Sequence, residues 1–174
     1  HPPRHPVPSL IETPTCPMSD LDLIHQLGEL LGRPLEQISE DQFERHAQAK
    51  ATLNWDSQDL IERDSYFLGA DGTVSGLFLQ PVTSQLLFDF PLHQFDSIRH
   101  LYLSRVNLPS YAFLRELKGL TTLSLSSNRI SDISVLTELK GLTTLDLRNN
   151  RISDISFLTE LKGLTTLDLR NNRI

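Results

Sequence analysis

Two aspartates come closer than any other residues of this chain to a catalytic pair. Asp146 and Asp168 stand 22 residues apart, in two identical stretches that read TLDLR. If each stretch forms a strand and the two strands pair side by side, the carboxylates lie about 5 Å apart. Two carboxyl groups at about that separation carry out retaining glycoside hydrolysis, one as nucleophile and the other as acid and base.

The neighbouring arginines argue against that chemistry. Arg148 and Arg170 lie two residues further along the same stretches and can neutralise both carboxylates. A general acid needs a raised pKa, and nothing near either aspartate in the sequence isolates one carboxyl group to raise it. We therefore expect a salt-bridged polar surface, which can take part in recognising a partner, and no enzymatic activity.

Other motifs of catalysis and metal binding are missing from the sequence. It contains no phosphate-binding G-x-x-x-x-G-K-[ST], no zinc-binding H-E-x-x-H, no C-x-x-C and no G-x-S-x-G. His1 and His5 have no further ligands near them at metal-binding spacing. We predict that the chain uses no cofactor and no metal ion.

Repetition accounts for the position of the two aspartates. The residues LTELKGLTTLDLRNNRI occur at 136–152 and again, unchanged, at 158–174, and a related copy occupies 114–130. Earlier copies of the strand begin at Ile98 and Val74. A period of 20–29 residues that carries L-x-x-L-x-L-x-x-N is typical of leucine-rich repeats. The alternation of apolar and polar residues in TLDLR predicts a short strand with its leucines turned inward.

The remaining repeat positions predict the turns. A buried asparagine after a strand can bond backbone groups that no strand pairing satisfies. We expect a structural ladder of three such residues: Asn128, Asn150 and Asn172. The SDIS stretches predict caps for short helical or 3₁₀ segments. We expect the glycines that end these segments to be left-handed: Gly119, Gly141 and Gly163.

The residues ahead of the repeats divide into two parts. Residues 1–17 hold six of the ten prolines and have no apolar periodicity, so we predict a disordered tail. Residues 18–65 are predicted to form a helical cap, because Ser19 and Asp22 are close to a capping box before an apolar stripe of helical spacing that ends at Gly32. Such a cap would cover the first apolar end of the repeats.

Residues 66–174 are assigned to the repeats. The chain is predicted to enter them through a hairpin that turns at Asp71-Gly72 and leads into a first strand at about 74–79. The last repeat is truncated, because the sequence stops at Ile174 before the convex segment of that unit. We therefore expect the chain to be a fragment of a longer protein, with an uncapped edge that favours self-association.

Two family resemblances follow from these residues. Residues 98–174 resemble the 22-residue repeats with an N-x-I-x-D-I-x-x-L ending that are found in internalins, in a regulatory subunit of a protein phosphatase, and in bacterial Roco proteins. The resemblance implies an α/β solenoid, in which an arc of leucine-rich repeats has a parallel concave sheet and short 3₁₀ or helical convex segments, and it implies protein binding. The stretch MSDLDLIHQLGELLGRPLEQI from Met18 resembles the amino terminus of Roco proteins, in which a helical cap and hairpin lead into the repeats. It implies an alternative function as the regulatory segment of a larger Roco-type GTPase, with the catalytic domain beyond residue 174.

The outward positions of the strands form the concave surface, which is where repeat proteins of this kind bind. We predict that this surface binds a protein partner. Phe78 and Tyr102 are candidate aromatic anchors, although they could instead pack on the cap or on each other. The predicted contact residues are Phe78, Gln80, His100, Tyr102, Ser104, Asp146, Arg148, Asp168 and Arg170.

Charge and apolar content limit the classes of partner. Residues 19–65 carry eleven acidic against four basic residues, and residues 66–174 carry ten against eleven. This balance argues against nucleic acid, which requires a basic surface. No apolar run approaches the roughly 18 residues of a transmembrane helix, and no signal peptide is visible. The single Cys16 cannot form an internal disulfide, which fits a reducing compartment. We predict a cytoplasmic protein with no membrane contact.

Overall fold

The structure, a computed structural model, describes residues 18–45, 64–79 and 90–174. A seven-stranded sheet runs through these ranges with its strands in chain order. The strands are β1 (Glu36–Gln37), β2 (Ser65–Leu68), β3 (Val74–Leu79), β4 (His100–Leu103), β5 (Thr122–Ser124), β6 (Thr144–Asp146) and β7 (Thr166–Asp168). Neighbouring strands are parallel except for the antiparallel β2–β3 hairpin. The predicted leucine-rich-repeat solenoid with a parallel sheet is confirmed.

The strand register places equivalent repeat positions beside one another. Leu101 pairs with Leu123, which pairs with Leu145, which pairs with Leu167. Because side chains alternate between the two faces of a strand, this register turns every repeat leucine to the same side. The first three are at most 1 % exposed, so adjacent repeats share one continuous core. The solenoid is thus stabilised by contacts between neighbours, as stacked repeats require.

Short 3₁₀ segments form the opposite, convex side. They span Leu92–Gln94, Ala112–Glu116, Ser134–Glu138 and Ser156–Glu160. Asp132 Oδ1 accepts the backbone N–H of Ser134 at 2.9 Å, and Asp154 makes the equivalent bond in the next repeat. The aspartate of each SDIS stretch therefore satisfies an N–H group that the segment itself leaves unpaired.

An asparagine ladder connects the turns after the strands. Asn128 Oδ1 accepts the N–H of Val106 at 2.7 Å, and Asn150 Oδ1 accepts the N–H of Ile130 at 2.9 Å. Asn172 repeats the contact one turn later. The amide groups of the same side chains donate to backbone carbonyls of the preceding strands. Each turn therefore depends on the asparagine of the following repeat for its buried backbone hydrogen bonds.

The repeat glycines do not have the left-handed conformation that the sequence predicted. Among the described residues, the glycines with positive φ are Gly32 and Gly72. In the repeats the left-handed residues flank the ladder position, with φ between 51° and 62°. Arg105, Ser127, Asn149 and Asn171 lie directly before it, and Asn107 and Arg129 lie directly after it. The prediction was wrong because the chain reverses most sharply where each strand ends, and each 3₁₀ segment ends with ordinary negative φ, as at Leu139.

The amino-terminal cap begins with helix α1, Asp20–Leu31. The Ser19 hydroxyl accepts the N–H of Asp22, whose carboxylate accepts the N–H of Ser19, and the left-handed Gly32 closes the helix. The predicted capping box and helix end are therefore confirmed. The predicted hairpin into the repeats is also confirmed, because β2 and β3 pair antiparallel on either side of the Asp71-Gly72 turn.

Two contacts attach the cap to the repeats. Leu23, Ile24 and Leu27 of α1 are buried in the same apolar cluster as the repeat leucines. Asp20 Oδ2 accepts the N–H of Val74 at 2.7 Å and so holds the start of α1 to the start of β3. A second helical segment, residues 40–45, follows β1. The predicted tail, residues 1–17, lies outside the described residues.

Candidate functional site

A ladder of alternating charges crosses β6 and β7 on the concave face. Asp146 and Asp168 are paired residues of the two strands. Arg148 donates from Nε to Asp146 Oδ1 at 3.0 Å and from Nη2 to Asp146 Oδ2 at 2.9 Å, and its Nε lies 3.4 Å from Asp168 Oδ2. Arg170 Nη2 donates to Asp168 Oδ2 at 2.6 Å. Arg148 therefore bridges the two strands, and the four side chains form one network, which we call the charge ladder.

The charge ladder is partly withdrawn from solvent, and its arginines favour the ionised form of Asp168. Arg148 is only 7 % exposed, whereas Arg170 is exposed at the end of the network. Burial opposes ionisation of Asp168, but hydrogen bonds from Arg170 and the charges of Arg170 and Arg148 outweigh it, so its pKa is lowered. General acid catalysis by a carboxyl group requires the opposite shift. The lowered pKa of Asp168 therefore argues against a role for this carboxyl group as the general acid of glycoside hydrolysis.

The aromatic end of the concave face differs from the expectation. Phe78 was expected to be exposed, and it is 4 % exposed. Phe43, from the second helical segment, packs over this part of the sheet with its ring centroid 4.8 Å from Phe67 and 5.4 Å from Tyr102. Phe78 stacks on Tyr102 at 5.7 Å. The cap thus covers Phe78. This residue packs on the cap and on Tyr102, which was the alternative to an exposed anchor.

His100 and Tyr102 stand at the border of this aromatic cluster. Both side chains are partly exposed. Burial, together with the smaller effects of nearby Asp146 and Glu44, raises the pKa of Tyr102 to about 12. Burial lowers the pKa of His100, against the opposing charges of Glu40 and Glu44. Both groups are therefore neutral at pH 7, in contrast to the charge ladder beyond them.

A third predicted contact residue, Ser104, is buried. Ser104 was expected on the accessible concave surface, but it is 4 % exposed and its Oγ lies 3.0 Å from Oγ of Ser126, which is also buried. A small side chain within a packed column leaves too little surface for a partner. Gln80 lies outside the described residues. The accessible concave surface also includes Thr144 and Thr166, beside the charge ladder.

Phe43 is a functional neighbour of the concave face that the repeat pattern does not identify. Ser39 begins the second helical segment with a capping box, since its Oγ accepts the N–H of Gln42 and the Gln42 side chain accepts the N–H of Ser39. Ile38 directly precedes this cap and packs on the same cluster as Phe43. An apolar residue before the cap that packs on the fourth helical residue is a hydrophobic staple. That pattern is visible in the sequence and could have identified Phe43 as a packed residue.

Comparison with known proteins agrees with this architecture. Residues 98–152 match the family described as leucine rich repeat, and residues 140–174 match the family described as leucine rich repeats in two copies. The chain therefore carries leucine-rich repeats over residues 98–174, and leucine-rich-repeat proteins generally mediate protein–protein interaction. No curated protein matches the sequence significantly.

The chain is similar to several solved structures. Internalin C2 from Listeria monocytogenes is 30 % identical, with a TM-score of 0.50 over 59 % of this chain and 54 % of that one. A second internalin from Listeria monocytogenes is 27 % identical over 63 % of this chain and 27 % of that one, with a TM-score of 0.46. A third structure is the leucine-rich-repeat ectodomain of the plant membrane receptor kinase GASSHO1/SCHENGEN3 from Arabidopsis thaliana, in complex with CASPARIAN STRIP INTEGRITY FACTOR 2. It is 24 % identical over 69 % of this chain and 15 % of that one, with a TM-score of 0.47.

The chain is short beside these structures. It spans 54 % of the length of internalin C2 and smaller shares of the other two proteins. The Roco resemblance stays a prediction, because these matches do not include a Roco protein. Within the ranges that the structure describes, every helix is too short or too polar to cross a bilayer.

Proposed function

We propose that this chain is an interaction module that binds a protein partner on the concave face of β5 to β7. The observation that carries the proposal is the charge ladder of Asp146, Arg148, Asp168 and Arg170. Internal ion pairs hold these side chains in place before any partner arrives. A preordered surface loses less side-chain entropy on binding, so more of the contact energy becomes affinity.

Within the charge ladder the residues have different proposed roles. Arg170 offers the most accessible guanidinium, with 67 % of its side chain exposed, and can bind a carboxylate of the partner through two parallel hydrogen bonds. Asp146 and Asp168 can accept hydrogen bonds through their remaining lone pairs. Arg148 is buried and acts by holding the two carboxylates. His100 and Tyr102 supply a neutral border, where the cap limits the site.

Position-specific crosslinking tests this proposal. A photoreactive amino acid at Thr166, exposed on the concave strand β7, is compared with the same amino acid at Lys162, exposed on the convex side of the same repeat. We expect one protein from the source cell to be captured through residue 166 and not through residue 162. Arg170→Glu should abolish that capture, since it reverses the accessible charge. Equal capture at both positions, or capture that Arg170→Glu does not change, would contradict concave binding.

The alternative, a regulatory segment of a larger Roco-type GTPase, has one structural observation in its favour. The order of α1, the β2–β3 hairpin and the repeat strands is the order that the resemblance from Met18 implies. A P-loop motif encoded downstream of Ile174 in the same reading frame would support this alternative, and a downstream sequence without a GTPase would contradict it. We also propose a cytoplasmic location, which fits the single Cys16 because one cysteine cannot form an internal disulfide.

A further inference from the structure

Three arginines form a row along one flank of the repeats. Arg129, Arg151 and Arg173 each follow a ladder asparagine by one residue, and all three side chains are exposed. The N–H of Arg151 donates to the carbonyl of Ile130 at 2.7 Å, and the N–H of Arg173 makes the same contact one turn later. The row therefore advances by one repeat at each step, about 5 Å, which is the spacing of adjacent strands.

The side chains of this arginine row have no carboxylate partner among the described residues. Within the described ranges, no ion pair or side-chain hydrogen bond involves Arg129, Arg151 or Arg173. The concave arginines are bonded to aspartates of the charge ladder. Two of the three convex lysines also have partners, since Lys118 pairs with Glu138 and Lys140 pairs with Glu160, whereas Lys162 of the last repeat makes no ion pair among the described residues. The concave arginines and two of the convex lysines are thus paired within the fold, and none of the three arginines of the row is.

The acidic residues that follow the arginine row in sequence have other partners. Asp132 and Asp154 lie three residues after Arg129 and Arg151, and each uses Oδ1 to accept the N–H of a serine at the start of a 3₁₀ segment. Their hydrogen bonds hold them to the convex side. The positive charge of the arginine row is therefore left for a group outside the molecule.

We infer that the row of Arg129, Arg151 and Arg173 binds an acidic stretch of a protein partner that runs across the repeats. An extended peptide presents alternate side chains on one face about 7 Å apart. The long arginine side chains can adjust from their 5 Å backbone spacing to that distance, and a guanidinium matches a carboxylate through two parallel hydrogen bonds. A glutamate at every second residue would meet successive arginines.

An acidic peptide fits this flank better than a nucleic acid does. The whole chain has a net charge of −6, with the acidic excess in the cap. Nucleic acid binding draws on a broad basic surface that contacts many phosphates. Three charges in one narrow row match a short acidic segment. This inference does not depend on the concave site, because the arginine row and the charge ladder share no residue.

The test measures binding of defined peptides to the full 174-residue chain at low ionic strength. The probe is a fluorescent peptide in which glutamate alternates with serine, and its control has glutamine in place of every glutamate. We expect the glutamate peptide to bind at least about tenfold more tightly, and its affinity to fall as salt is added. Equal binding of the two peptides would overturn the inference.

Matched variants separate the arginine row from net charge. The combined variant Arg129→Gln, Arg151→Gln and Arg173→Gln should weaken binding of the glutamate peptide about tenfold. The variant Lys118→Gln, Lys140→Gln and Lys162→Gln loses the same charge from the convex side of the same repeats and should change the affinity less than about twofold. An equal loss in both variants would overturn the inference.

A double variant and an oligonucleotide test two further outcomes, which are misfolding of the triple variant and binding of nucleic acid. If the triple variant does not fold, the double variant Arg151→Gln and Arg173→Gln replaces it. It leaves Arg129 unchanged, whose left-handed φ of 58° is strained, and it should still weaken binding several-fold. A single-stranded oligonucleotide is tested beside the peptide. If it binds more tightly and its binding is lost with the same arginines, the flank recognises nucleic acid and the proposed partner is wrong.

Discussion

The ring of Phe67 lies directly over Gly76, its paired residue across the β2–β3 hairpin. A methyl group built on Gly76 would overlap the Phe67 ring and would lie 3.0 Å from Cζ of Phe43. Gly76 is buried, and it is not among the residues with positive φ. Glycine is needed here for close approach of the cap aromatics to the sheet, and not for backbone conformation.

This relationship predicts that Gly76→Ala destabilises the protein by about 1–3 kcal/mol, because the added methyl group overpacks the cluster and displaces Phe67. Urea unfolding measures the change. Gly163→Ala is the matched control, since its new methyl group would meet its nearest atom, the carbonyl oxygen of Leu142, at an ordinary 3.5 Å. Equal destabilisation by both variants would show that the close contact with Phe67 does not matter.

The asparagine ladder predicts unequal effects along the chain. Asn150→Ala removes bonds to the N–H groups of Asn128 and Ile130 and to the carbonyl of Leu125. Since these groups are buried, we expect a loss of about 3 kcal/mol or more. Asn172→Ala, at a half-buried position, should cost about 1 kcal/mol. Free energies of unfolding from urea titration test the order, and a larger loss for Asn172→Ala would contradict it.

The inward position of the repeat leucines predicts that Leu145→Asp unfolds the repeats. The side chain is 1 % exposed, and an unpaired carboxylate in the shared core costs several kcal/mol. Thr144→Asp is the control, because Thr144 lies next to it on the half-exposed outward side. Circular dichroism and the thermal midpoint report the result. A Leu145→Asp protein with an unchanged spectrum and midpoint would be incompatible with this packing.

The partly buried position of His100 predicts a loss of stability in acid. Its pKa is lowered in the folded protein from the usual value of 6.5, chiefly by burial. Below pH 6.5 the unfolded chain therefore binds more protons than the folded one, so stability is full above that pH and falls as the pH decreases through the folded pKa. Urea unfolding at several pH values should show a smaller acid loss for His100→Gln. A NMR titration that finds no lowered pKa for His100 would contradict the prediction.

The last strand predicts local opening and self-association of this 174-residue chain. Among the described residues β7 pairs with β6 alone, and Leu167 is 40 % exposed where the equivalent Leu145 is 1 % exposed. Ile174 is 64 % exposed. A terminal repeat has one neighbour and not two, so hydrogen exchange should be faster at 164–174 than at 142–152.

Sedimentation tests the association itself. An open strand edge with apolar side chains is a template for pairing with another molecule, so we expect oligomers that increase with concentration. Leu167→Lys should shift the chain toward monomer, and an added repeat with a polar outer face should do the same. A chain that stays monomeric at high concentration, with residues 164–174 as protected as 142–152, would show that the edge does not associate.

The sequence by itself determined the repeats, the parallel sheet and the capping of α1. Every one of these features is local or periodic. The leucines and asparagines recur at 22 residues because each repeat must bury the same face against its neighbour, and Ser19, Asp22 and Gly32 act within a single helix. Such requirements leave the same residue type at a fixed spacing, which can be recognised without coordinates.

Only the tertiary structure decided which concave residues are accessible. Phe43 reaches Tyr102, 59 residues further along the chain, and covers Phe78 with it. The arginine row likewise has no carboxylate partner because Asp132 and Asp154 accept backbone N–H groups of the 3₁₀ segments. These contacts join residues that are distant in the sequence or depend on side-chain direction. The first kind of contact occurs once in the chain, and the second depends on hydrogen-bond geometry. Neither can be recognised from the spacing of residue types.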